Sequence, residues 1–195
     1  MGKICKKIGL ITTKNPSKKI LLIIKNFLYF IPDSVFFKRK KLNLMQILCY
    51  FKLNFFENFL FIKEEKKKGS ILLWHVNLKF KLSIFYQIFD FLPIENINNN
   101  FYSSKNKPEI ILKNFSGNRG KAVAFMLRSL FPVHPNFKSR QVVSLVFYKK
   151  YIIFRFFRYI FSVSGKDVKL QNIGPRFTLY LNKIFQDIPK KFFFL

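Results

Sequence analysis

Two stretches of this chain echo each other at a constant spacing, and that echo limits the fold more than any other feature. Asn15 recurs as Asn118, Lys18 as Lys121 and Lys25 as Arg128, each 103 positions further on. The apolar stripe Ile20, Ile23, Ile24, Phe27, Leu28 recurs as Val123, Met126, Leu127, Leu130, Phe131, and Pro32 recurs as Pro135. Both stripes have helical spacing. Each follows a short apolar run, residues 6–13 (KKIGLITT) and 109–115 (EIILKNF), that reads as a strand. Any two amphipathic helices share a stripe, but the matched polar and basic positions make a duplicated strand–helix unit the expectation. In each copy the two basic residues lie seven apart on a face away from the stripe. They also lie near a helix N-terminus, which itself attracts phosphate.

The other elements follow from local signals. Asn15 and Pro16 suit an N-cap and a first-turn proline, and Pro32 ends the helix. Residues 35–37 read as a second strand. Leu44, Ile47, Leu48 and Phe51 mark another amphipathic helix. Residues 58–62 and 70–76 read as strands joined by the charged turn EEKKKG. Residues 94–107 (IENINNNFYSSKNK) are polar and Asn-rich, a linker between halves at about 1–93 and 108–195. Beyond it we expect a turn at 116–118, a helix over 119–131, strands over 141–148 and 151–162, and a final strand after Gly174. In that last strand Phe177, Leu179 and Leu181 alternate inward and Arg176 points away. The fold class is α/β.

Charge narrows the partner. The net charge is +27 and the pI about 10.3. No carboxylate lies between Glu109 and Asp167, where eleven lysines and arginines fall, and none precedes Asp33. Such a body repels itself and calls for a polyanion. Phe makes up 28 of the 195 residues, and Lys, Ile and Asn are also inflated. These residues share A/T-rich codons, as expected for a reduced genome such as an endosymbiont-derived or parasite nucleus. A single Phe or Lys is therefore weak evidence. Arg is more informative: of seven, Arg119, Arg128, Arg140, Arg155, Arg158 and Arg176 all lie beyond residue 118.

Cys5 and Cys49 make neither a disulfide framework nor a zinc site and suit a reducing compartment. ILLIIKNFLYFI (20–31) is broken by Lys and Asn well short of a ~20-residue span, so no transmembrane helix is expected. The start lacks an apolar block long enough for a signal peptide. KRKK at 38–41 reads either as a nuclear address or as a solvated turn after a strand.

Catalysis fails on inventory. His75 and His134 are the only histidines, and the acids are scattered apart from Glu64-Glu65. No carboxylate cluster suits a catalytic Mg²⁺. The expectation is a non-enzymatic protein without a cofactor. GNRGK (117–121) has too few residues between its glycines for a P-loop, and a strand rather than a helix precedes it, against a KH loop. Gly117 and Gly120 permit close backbone approach, either for a tight turn or to let Arg119 and Lys121 reach a phosphate. YIIFRFFRYIF (151–161) places Arg155 and Arg158 on opposite faces of a strand. An arginine among apolar neighbours needs a carboxylate, carbonyl or phosphate. It serves either a structural contact or RNA, with Tyr151 or Tyr159 as a stacking surface.

PEIILKNF (108–115), SLFPVHPNFKSRQV (129–142), YIIFRFFRYIF (151–161) and IGPRFTLYLNKI (173–184) together resemble, in order and wording, the Brix-domain family of ribosome assembly factors. Gly174, Pro175, Arg176 and Phe177 match the family signature, itself similar to a DNA-binding motif of bacterial sigma factors. KSRQV (138–142) matches with Ser139 where relatives commonly have Gly. ITTKNPSKK (11–19) and LLWHV (72–76) also match, whereas 77–106 match poorly and an expected Gly-Pro-Thr turn is missing. Relatives carry a longer end after the signature than the one seen here.

The resemblance implies one Brix domain over 1–195, of two related halves each similar to a class II tRNA-synthetase anticodon-binding domain. It implies a non-catalytic factor in the nucleolus that binds precursor rRNA on the large-subunit precursor particle. It also implies a dedicated assembly-factor partner of the Mak type, and no membrane. The candidate RNA-binding residues are Lys18, Lys25, Arg119, Lys121, Arg128, Lys138, Arg140, Arg155, Arg158 and Arg176. The signature reads either as a direct RNA contact or as architecture. The competing classes are a basic organellar ribosomal protein embedded in rRNA and a membrane-surface protein with basic amphipathic helices.

Overall fold

A computed structural model describes residues 7–65, 69–97, 107–162 and 167–187. The elements in chain order are β1 (Lys7–Thr12), α1 (Lys18–Phe30), β2 (Ser34–Phe37), α2 (Leu44–Leu53), β3 (Phe56–Glu65), β4 (Ser70–Asn77), β5 (Leu82–Leu92), β6 (Glu109–Lys113), α3 (Gly117–Ser129), β7 (Gln141–Tyr148), β8 (Tyr151–Phe161), β9 (Val168–Asn172) and β10 (Arg176–Phe185). They form two compact units. The first takes the chain up to Leu28, Asp33–Gln87 and the chain from Leu181; the second takes Tyr29–Pro32 and Ile88–Tyr180.

In the first unit the strand order is β2-β1-β3-β4-β5. β1 is parallel to both β2 and β3, and β3 is antiparallel to β4. The parallel pairing of β1 with β2 uses α1 as its crossover, as parallel strands require. Almost every residue of β1 is buried, the pattern of a strand covered on both faces. Leu44, Ile47, Leu48 and Phe51 of α2 pack with Ile11, Phe59, Phe61, Trp74 and Val76. Burying each such side chain contributes roughly 1.5–3 kcal/mol. α2 starts where it does because Asn43 and Gln46 cap one another, each side chain accepting from the other's backbone N–H at 2.8 Å.

The second unit repeats the opening. β6, α3 and β7 make a parallel pair joined by a helix, and the order continues β7-β8-β10, with β9 on the free part of β8. β7 and β8 form a hairpin whose last pair is Tyr148 with Tyr151, leaving a two-residue turn, Lys149-Lys150. One face is core: Val143, Leu145, Ile152, Phe154, Phe156, Phe177 and Leu179 are buried, as are Val123, Met126 and Leu127 of α3. The Phe154 and Phe177 rings stack across β8 and β10 at 4.2 Å and 8°. Phe30 lies 4.5 Å from Phe154 and 6.0 Å from Phe177.

Several expectations need correction. Ser17, not Asn15, caps α1: its hydroxyl accepts from the Ile20 N–H, and its carbonyl from Leu21. Asn118 lies inside α3, which begins at Gly117 and ends at Ser129. Leu28 is exposed, and the buried position nearby is Asn26, whose amide donates to the Leu22 carbonyl at 2.9 Å. Glu64 and Glu65 extend β3 instead of forming the turn, with Glu65 accepting from the Ser70 hydroxyl. The KRKK run follows β2 as a turn with Arg39 folded in, donating to the Leu42 carbonyl at 3.1 Å. β5 and β9 were not anticipated. Most of the expected linker lies outside the described residues, as does Cys5.

The first unit also buries a polar trio. His75 Nε2 donates to Asn58 Oδ1 at 3.0 Å, and Asn77 donates to the same oxygen at 3.1 Å. His75 is fully buried, its Nδ1 lacks a partner, and burial lowers its pKa from 6.5 to about 3. The imidazole is thus neutral in the fold and chargeable when unfolded. Its contribution to stability is complete above about pH 6.5 and is lost as pH falls toward about 3. We expect His75→Gln to flatten the pH dependence of the urea midpoint between pH 7 and 4. Parallel curves for parent and variant would show that His75 is not the titrating group.

Candidate nucleic-acid interface

The register of the second unit decides which side chains share its other face. Phe154 pairs with Phe177 inside, so Arg155, which follows the first, and Arg176, which precedes the second, both turn outward. Thr178 pairs with Ile153 and Tyr180 with Tyr151 on this outer face. Across β7, Ser144 pairs with Arg155, Val146 with Ile153 and Tyr148 with Tyr151. On β6, Ile111 pairs with Ser144 and Lys113 with Val146. These side chains are half-buried or exposed, unlike those of the core face. Among the described residues the result is an open sheet face with an apolar centre, aromatic rings toward one end and the two arginines on the other side of that centre.

Its electrostatics are one-sided. Arg155 has its pKa lowered by burial first and by Arg176 second, with Asp90 acting the other way. Its Nη1 donates to the Phe154 carbonyl at 2.7 Å. Glu109 is occupied at the far end, where it accepts the Tyr159 hydroxyl, and burial with this bond pushes that phenol up to about 12. Tyr151 and Tyr180 lie 5.1 Å apart, and Phe89 meets Tyr180 edge-on. Lys149 sits over Tyr148 at 5.4 Å and Lys150 over Tyr180 at 6.0 Å.

The remaining candidates are spread out. Lys18 and Lys25 are exposed on α1, and Arg119, Lys121 and Arg128 on α3. Lys138 and Arg140 are exposed in the turn before β7, with Arg140 5.1 Å over the Phe161 ring. Arg158 faces the opposite way from Arg155, between Gln141 and Gln171 of the neighbouring strands. Of the ten, the fold brings Arg155 and Arg176 together. Tyr180, Tyr148, Lys149, Lys150 and Asp90 were not singled out from the sequence. Tyr180 was legible, since it shares the parity of Arg176 in one strand. Asp90 was not, because it depends on a strand that was not anticipated.

The signature residues divide by role. Gly174, Pro175 and Phe177 are buried and Arg176 is exposed. A Cβ on Gly174 would fall 2.3 Å from the Phe156 ring, so that position holds the turn tightly against β8. In GNRGK, Gly120 plays a similar part, since a Cβ there would lie 2.8 Å from the Phe115 backbone, while Gly117 holds φ +68°. Among the described residues no group of three or more His, Cys, Asp or Glu is placed to hold a metal ion. No described helix is long and apolar enough to cross a membrane.

These features define a two-unit α/β protein in which two of the arginines and several tyrosines share one sheet face of the second unit. The Brix-domain family model matches residues 13–183. Ribosome production factor 1 of Saccharomyces cerevisiae is 31% identical over 188 residues, covering 95% of this chain and 62% of that protein. Ribosome production factor 1 of Rattus norvegicus is 33% identical over 183 residues, 91% of this chain and 51% of that protein. The chain thus spans about half to three-fifths of the length of these relatives. A probable ribosomal biogenesis protein from Aeropyrum pernix K1 superposes with a TM-score of 0.61 at 11% identity, covering 89% of this chain and 95% of the other. The chain belongs to the Brix-domain family.

Gly174→Ala is expected to destabilise the fold by about 1–3 kcal/mol, as overpacking does. Adding Phe156→Leu, which frees the space, should recover part of that loss. Chemical denaturation of the two variants checks this, and no effect of Gly174→Ala would refute the packing role.

Proposed function

We propose that this chain is an assembly factor for the large ribosomal subunit that binds precursor rRNA and makes or breaks no bonds itself. The observation that carries this reading is the outer face of the second unit, where Arg155 and Arg176 stand side by side and Asp90 is the carboxylate that Arg155 senses. Two guanidiniums held together with so little counter-charge are stabilised by an anion between them. The distribution of charge supports the same reading, since the span from Ile110 to Lys166 contains no carboxylate. Membership of the family and the names of the relatives point to ribosome biogenesis.

On this reading the exposed basic residues of α1, α3 and the turn before β7 neutralise further phosphates and position the protein, while the face selects the site. The setting is nucleolar, the RNA sits within the large-subunit precursor particle, and a dedicated partner of the Mak type joins there. The echo between the halves supports an origin by duplication of an RNA-binding unit of the anticodon-binding kind.

Affinity of the purified chain for a large-subunit precursor transcript should fall steeply with salt, with a log–log slope of about −0.7 per phosphate neutralised on single strands. In gradients the protein should sediment with precursor particles and be absent from translating ribosomes. Presence on translating ribosomes would mark a ribosomal protein instead, and a flat salt response would remove the phosphate mechanism.

A further inference from the structure

We infer that the outer face of the second unit is a platform for an unpaired RNA strand, with bases lying on Tyr151 and Tyr180 and a phosphate held between Arg155 and Arg176. This rests on the rRNA-binding reading and names the kind of RNA and where it lies. The face has two zones. Its middle, Val146, Ile153 and Thr178, is half-buried and largely apolar. At one end stand Tyr148, Tyr151 and Tyr180; beyond the middle stand Arg155 and Arg176.

A duplex presents phosphates outward and hides its bases, so it would satisfy the arginines and leave the rings and apolar middle against water. An unpaired strand offers both: base faces for the rings and phosphodiesters for the guanidiniums. The ring end is cationic as well, since Lys149 and Lys150 lie over Tyr148 and Tyr180. The turn that carries them is informative. A two-residue hairpin turn favours Asn or Gly where φ is positive, yet Lys149 sits there at φ +56°. Lys40, Lys81 and Arg140 take the same backbone conformation elsewhere in the chain, and in this turn it leaves two ammonium groups at the edge of the platform. Asp90 is the carboxylate that acts on Arg155, and Glu109 is engaged by Tyr159, so the face remains attractive to anions.

The test is fluorescence anisotropy of the full chain with a labelled unpaired RNA oligonucleotide and with the same sequence as a duplex. Three variants are compared after circular dichroism confirms folding. They are Tyr151→Ser with Tyr180→Ser, Arg176→Gln, and Lys18→Gln with Lys25→Gln on α1. The ring variant should weaken unpaired RNA roughly tenfold or more while leaving the salt slope alone. Arg176→Gln should reduce the slope by about 0.7. The α1 variant should leave the parent's preference for unpaired over duplex RNA in place. If the ring variant does not fold, Arg176→Gln, at an exposed position, decides through its slope. Parent-like binding by folded ring and Arg176 variants, or a preference of the parent for duplex, overturns the platform while RNA binding stands. Loss of particle association with unchanged binding to unpaired RNA would overturn it too, marking the face as a protein dock. A parent that binds neither RNA would sink the rRNA-binding reading and the platform with it.

Discussion

The stack of Phe154 on Phe177 is the contact on which the rest of the second unit depends. It sits between β8 and β10, which β9 separates in the chain, with Phe30 against both rings, and its burial holds their register. Side chains alternate along a strand, so a slip of one residue would carry Arg176 inward and put Phe177 into water. Gly174 belongs to the same device, because only a residue without a side chain lets the turn before β10 close over Phe156. A segment recognised by its wording therefore works mainly as architecture, and one of its four residues, Arg176, reaches the surface.

The same constraint creates an electrostatic problem on the outer face. Fixing the register places two guanidiniums beside each other, and burial together with the neighbouring charge disfavours the protonated state of Arg155. A fold can relieve such a pair with carboxylates. Here the nearby acids are few: Asp90 acts on Arg155, and Glu109 is turned toward Tyr159. The first unit shows the opposite solution to buried polarity. His75 stays neutral and shares Asn58 with Asn77, so it adds no charge to the interior.

Much of the fold was legible because its core strands and helices are strongly periodic. The strand at Gln141–Tyr148 has the bounds expected for it, and the four apolar residues expected to bury α2 do so. The helix starts were less legible. Two candidate caps compete within three residues before α1, and the hydroxyl of Ser17 won over the amide of Asn15. β5 was missed although Ile84, Tyr86 and Ile88 alternate inward, because a composition so rich in Phe and Ile blurs the contrast between buried and exposed positions. β9 is short, mostly exposed and held by one neighbour, so its sequence carries little pattern. For the site, the outward turn of Arg176 could be read from a single strand. That Arg155 stands next to it could not, because the pairing of β8 with β10 is set by packing across the sheet.

The central claim is that this register presents a cationic and aromatic surface to immature ribosomal RNA. Ultraviolet crosslinking in cells, with sequencing of the attached RNA and mass spectrometry of the attached peptide, tests it most directly. The account predicts large-subunit precursor sequences joined to peptides from Tyr148–Arg155 or Arg176–Tyr180. Recovery of no ribosomal sequence, or of ribosomal sequence joined to other parts of the chain alone, would contradict it.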